Sequence, residues 1–113
     1  MSGGGGGRSD VGSGGERPDE CNAIEVVTPL NSPTAAVVAV LQRGDMLTVR
    51  IHRAANNVQT LVAEDHQGRV AGSLTPPSLL TIIRCIESGT SYGATVLDDP
   101  SGGHVRVRIR AQP

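Results

Sequence analysis

Residues 46–53 read Met-Leu-Thr-Val-Arg-Ile-His-Arg, and within them Leu47, Val49 and Ile51 alternate with Thr48, Arg50 and His52. A period of two is the signature of an extended strand with one buried face, so the first three point to a core and the last three to solvent or a ligand. The same pattern recurs on the C-terminal side. Residues 53–57 read as a turn and Val58 to Ala63 as a return strand; residues 64–68 form a second turn leading into Arg69 to Leu74. Three successive strands make an antiparallel meander. Near the C-terminus, Tyr92 to Leu97 alternates again, and Asp98-Asp99-Pro100-Ser101-Gly102-Gly103 is a turn sequence. Beyond it, Val105, Val107 and Ile109 alternate with Arg106, Arg108 and Arg110, which closes a β-hairpin.

Two stretches carry helical spacing instead. Ser32 offers an N-cap and Pro33 a first helical position, with Val37, Val40 and Leu41 following and Gly44 placed to stop a helix of about ten residues. Thr75 and Pro76 open a second helix. In it Leu79, Ile82, Ile83 and Ile86 share about 100° of arc before Gly89 ends the run, and Cys85 falls at the flank of that arc as a half-buried thiol. An N-terminal strand over Ala23 to Thr28 precedes both, interrupted by Pro29 and the Asn31-Ser32-Pro33 cluster. The expected fold is mainly β (α+β): a small antiparallel β-barrel or curled sheet of about six strands, with two short helices plugging one side or end.

Composition bounds the rest. Eight of the fifteen glycines lie in the first 20 residues of this 113-residue chain. Residues 1–20 therefore read as a flexible, disordered Gly-rich tail, and residues 21–113 as one small domain. With Tyr92 the only aromatic, the core must come from Val, Leu and Ile. Ten Arg, no Lys and eleven acids give a formal charge of −1. That excludes a globally basic nucleic-acid protein and leaves the domain near neutrality. Cys21 and Cys85 lack metal-ligand spacing and are far apart, so a reduced, cytoplasmic setting is expected, with neither a zinc site nor a disulfide-dense scaffold. No apolar run is long enough to span a bilayer, and no membrane association is expected.

No residue constellation announces an enzyme. His52, His66 and His104 have no second ligand at i+2, i+3 or i+4, and the Asp98–Gly103 stretch lacks the alternating acids of a calcium loop. Neither a metal nor a cofactor is expected. Cys85 has no adjacent base, and the N-terminal glycines lack the Lys-Ser/Thr of a phosphate-binding loop. The suggestive feature is the arginine stripe. Arg106, Arg108 and Arg110 project from one side of the last strand about 6.6–6.8 Å apart, without an interleaved acid, and Arg50 joins them if its strand lies nearby.

The stretch from Leu41 to Leu97 resembles the HIRAN domain, a small β-barrel of DNA-repair and helicase-associated proteins. The likeness rests on Gly44-Asp45 and Leu47 opening a strand, Asn56-Asn57 in the turn and Val58 to Val62 returning. Gly68-Arg69-Val70-Ala71-Gly72 then precedes a Pro-containing helix that ends at Gly89. The family has an Asp soon after the turn Asn and an aromatic after the second Gly; this chain has Val58-Gln59-Thr60 and Ser73 there. The resemblance implies a barrel and carries no individual binding residue with it. Two functions remain open. One is a non-catalytic nucleic-acid-binding module that contacts the phosphates of DNA or RNA through Arg106, Arg108, Arg110 and Arg50. The other is a protein-interaction or accessory module of a larger complex, with the tail as tether and strand addition at an edge beside Val26 or Ile109.

Overall fold

The computed structural model describes residues 18–113. Of the Gly-rich tail, residues 1–17 lie outside the described residues, while 18–20 open a short helix α1 (Pro18–Ala23) that composition had hidden. Proline at its start and Asp19 and Glu20 in its first turn are helix-initiating chemistry. Six strands follow: β1 (Glu25–Asn31), β2 (Met46–Arg53), β3 (Gln59–Glu64), β4 (Val70–Leu74), β5 (Ser91–Val96) and β6 (Arg106–Gln112). Between them lie α2 (Ala35–Val38), α3 (Leu79–Glu87) and a 3-10 turn over Pro100–Gly102.

The strands form a closed antiparallel barrel in the order β1-β4-β3-β2-β5-β6, with β6 pairing back onto β1. The meander β2-β3-β4 and the hairpin β5-β6 stand as the alternation requires. Leu47, Val49, Leu61, Leu74, Ala94, Val96, Val107 and Ile109 all point inward and are buried. Burying one such aliphatic side chain contributes about 1.5–3 kcal/mol, so the barrel interior is the main source of stability. Closure removes the edge beside Val26 and Ile109. These two residues are each other's ladder partners, so strand addition has no site there.

Pro29 does not end β1, which runs on to Asn31. The Leu30 N–H donates to the Val105 carbonyl on the β6 side at 2.8 Å. The nitrogen of Pro29, one residue earlier, therefore faces the other side, where pairing to β4 begins only at Leu30. A missing donor costs nothing at that point.

Both helices start later than their sequences suggest. Proline disfavours helical geometry in the residue before it. Pro77 thus keeps Pro76 out of α3, whose N-cap residue is Ser78, and the Thr75 hydroxyl instead accepts a 2.7 Å hydrogen bond from Asn31 Nδ2. Pro33 acts likewise on Ser32, which takes a left-handed φ of 46° and cannot cap α2. Only four residues are α-helical there, with Thr34 at the N-cap. Gly44 stops no helix; it closes the Gln42–Asp45 turn, where the Asp45 carboxylate accepts from the Gln42 N–H.

Gly72 allows β1 to cross β4. A Cβ there would sit 2.7 Å from Leu30 Cγ and 2.8 Å from the Asn31 carbonyl oxygen, and backbone cannot move aside as a flexible side-chain tip does. Gly72→Ala is therefore expected to destabilise the barrel by about 1–3 kcal/mol, measured as a lowered urea midpoint.

The cysteines correct the expectation of reduced thiols. Cys21 of α1 and Cys85 of α3 are joined in a disulfide, with Cα atoms 5.6 Å apart, ordinary bridging geometry. Cys85 is fully buried rather than half-buried on a flank. Beside the bond, the Tyr92 hydroxyl donates to the Cys21 carbonyl at 2.6 Å, and burial pushes the phenol above its ordinary pKa.

Candidate functional site

Strand β6 alternates as its sequence requires: Val107 and Ile109 fill the barrel, and Arg106, Arg108 and Arg110 lie on its outer wall. What the sequence did not reveal is the acids that meet them. Register places Glu25 of β1 directly across from Arg110. Its carboxylate lies 3.5 Å from Arg110 Nε and 3.5 Å from Arg108 Nε. All three side chains are about half exposed. One carboxylate thus faces two guanidiniums at a range beyond a well-formed charged hydrogen bond. The trio keeps a formal charge of +1, and donor groups on both arginines remain open to solvent.

Arg106 is different. Asp98 accepts from its Nε, its Nη2 and its backbone N–H at 2.9–3.0 Å. The two residues flank the hairpin loop, where Leu97 N–H donates to the Arg106 carbonyl, so the fork closes the hairpin. An acid two positions before and an arginine three positions after a Pro-Ser-Gly-Gly turn were a readable sign of this clamp. Hydrogen bonds from the Arg106 side chain and backbone hold the Asp98 carboxyl down to about 2 against an ordinary 3.8. A depressed folded-state pKa contributes stability above the unfolded value and loses it as pH falls through the folded one. Stability is therefore expected to drop between about pH 4 and about pH 2, and Arg106→Gln should flatten that slope in thermal melts.

Arg50 does not join the cluster. It pairs with Glu64 on β3 at 2.8 Å. Strand β5 separates it from β6, a lateral gap of two strand spacings, about 10 Å. Between them the side chains of Met46 and Gln112 fold over Gly93, whose missing Cβ leaves the space they occupy. Of the four arginines singled out by sequence, the barrel brings Arg108 and Arg110 together around Glu25, commits Arg106 to the hairpin and leaves Arg50 on a separate pair.

A second feature lies where β2 and β5 part. Their ladder holds only from Met46–Thr95 to Thr48–Gly93, while β2 continues to Arg53 with β3 alone. The seam opens into a groove of about 450 Å³ whose walls include Val49, Arg50, Ile51, Ile86 and Tyr92. This is where the closed barrel retains a stretch of unpaired strand edge, in place of the edge expected beside Val26.

His52, His66 and His104 are exposed. Among the described residues no group of three or more His, Cys, Asp or Glu is arranged to hold a metal ion, and no helix is long and apolar enough to cross a membrane. Comparison with protein families, curated proteins and solved structures finds no match to this chain.

Proposed function

We propose that this chain is a non-catalytic binding module that contacts the phosphates of a nucleic-acid strand through Arg108 and Arg110. The observation that carries the reading is the shared carboxylate: Glu25 faces two exposed guanidiniums and fully satisfies neither. An incoming phosphate supplies the second anion this arrangement lacks, and guanidinium is the cation best matched to phosphate oxygens. Arg106 contributes by rigidifying the hairpin, since Asp98 holds its Nε and one Nη2 donor in a fork. With Tyr92 buried, no aromatic platform is available for base stacking. Binding is then electrostatic and indifferent to sequence.

Fluorescence anisotropy with labelled single- and double-stranded DNA and RNA tests this. Two phosphate contacts on a single strand give a salt slope of about −1.4, so affinity is expected to fall about sevenfold between about 50 and about 200 mM salt. Arg108→Ala with Arg110→Ala should abolish binding, while Arg106→Ala should leave a folded sample's affinity within about twofold. No binding by the wild type at micromolar protein in low salt would refute the reading.

One observation favours a protein partner instead. The unpaired edge of β2 beyond Thr48, backed by an open groove, suits addition of an extended segment from a larger partner. Under that reading a co-purifying protein survives high salt and nuclease, and Ile51→Glu releases it. The cytoplasmic setting expected from sequence rested on unpaired cysteines, and the disulfide removes that support.

A further inference from the structure

We infer that the Cys21–Cys85 disulfide is a thiol-operated latch, which holds α1 against the barrel and releases it when a dithiol reduces the bond. The helix has six residues, well below the length at which an isolated helix persists in water. Of residues 19–23 only Cys21 is buried; Asp19, Glu20, Asn22 and Ala23 are exposed. Residues 19–23 therefore bring no apolar side chain to the core apart from the half-cystine.

Two anchors tie α1 to the domain through buried atoms: the disulfide to α3, and the hydrogen bond from Tyr92 to the Cys21 carbonyl. Once the sulfur bridge is cut, that hydrogen bond and the packing of α1 on β6 are left to oppose the conformational entropy of the whole helix, and they cannot hold it. The barrel has no such dependence. Its six strands close on one another, and its interior is filled by Leu47, Leu61, Leu74, Val96, Val107 and Ile109, all from the strands.

Release has a defined consequence. Tyr92 both holds α1 and lines the groove between β2 and β5. Undocking α1 takes the Cys21 carbonyl away from the Tyr92 hydroxyl and leaves Cys85 as a free thiol on α3.

The chemistry is ordinary exchange. A thiolate of the dithiol attacks one sulfur, the S–S bond breaks and a mixed disulfide forms. The reductant's second thiol then displaces the remaining protein sulfur. Two electrons and two protons pass to the protein, leaving Cys21 and Cys85 as thiols and the reductant as its cyclic disulfide. Both sulfurs are buried, so attack follows a transient opening of the α1 end.

Hydrogen exchange of the full chain, with and without excess dithiothreitol, tests the latch, with alkylation and mass measurement counting thiols in each sample. The oxidised protein is expected to show no alkylatable thiol and the reduced protein two. On reduction, peptides spanning residues 18–24 should exchange at the rate of an unstructured segment, while those covering Leu47–Ile51 and Val105–Ile109 stay protected, faster only by the factor that the loss of global stability sets. A variant carrying Cys21→Ser and Cys85→Ser should reproduce the reduced pattern without reductant. Four results would overturn the latch. They are two free thiols in the purified protein, a bond that dithiothreitol cannot open without denaturant, unchanged exchange at 18–24 after reduction, and loss of protection throughout the strands.

Discussion

Replacing Cys21 and Cys85 together by serine is expected to lower the stability of the oxidised protein by up to about 4 kcal/mol. The two cysteines are 64 residues apart in the chain, so the bridge closes a loop that contains most of the domain. In the chain-entropy account, a cross-link of that span removes about 4 kcal/mol of freedom from the unfolded ensemble. That figure is an upper value here, because the native state without the bridge recovers some freedom when α1 undocks. The expected reading is a urea midpoint lower by about 1–2 M, at a slope of about 2 kcal/mol/M. Wild-type protein in reductant should show the same shift. Were the wild-type midpoint indifferent to reductant, the bridge would contribute nothing to folding.

Tyr92→Ala is expected to be as severe, about 3–5 kcal/mol, because it empties the site of the largest fully buried side chain in the domain. Tyr92→Phe separates packing from polarity. It keeps the ring and strips the partner from the Cys21 carbonyl, a loss of about 1–3 kcal/mol. The two residues act on one element, so their effects should not add. In the double-serine background α1 is released, the carbonyl is hydrated, and Tyr92→Phe should cost under about 0.5 kcal/mol. Denaturant titrations of the four proteins give that coupling directly. Additive losses would mean that α1 stays docked without its bridge.

These two residues also mark the boundary of what the sequence made legible. Alternation in 46–53 and 105–110 declared both the strands and their inward faces, since side-chain direction in a strand is a local property. The meander and the hairpin followed from turn residues such as Gly68 and the Asp98–Gly103 stretch. Contacts between residues remote in the chain carried no local mark. Closure of β1 onto β6 brings Glu25 beside Arg110, 85 positions later, and no period or motif encodes that register. The disulfide is of the same kind, a meeting of α1 with α3 across the end of the barrel. The helix starts were misplaced for a local reason, that Pro33 and Pro77 act on the residues before them as well as on themselves. The arginine stripe was correctly read as an outward row, yet its charge was overstated. An alternating strand displays what its own side chains offer and is silent about what the neighbouring strand sets against them.

That neighbour supplies the sharpest test of the proposed function. If a bound phosphate shares Arg108 and Arg110 with Glu25, removing the charge of that carboxylate must strengthen binding. A carboxylate about 4 Å from a bound phosphate in water is worth about 1 kcal/mol of repulsion, so Glu25→Gln should tighten single-strand binding about fivefold at low salt. Anisotropy titration of wild type and Glu25→Gln against one labelled oligonucleotide measures it. A fivefold gain that shrinks as salt rises is the expected result; unchanged or weakened binding would contradict the assignment of Arg108 and Arg110 as the phosphate-contacting pair.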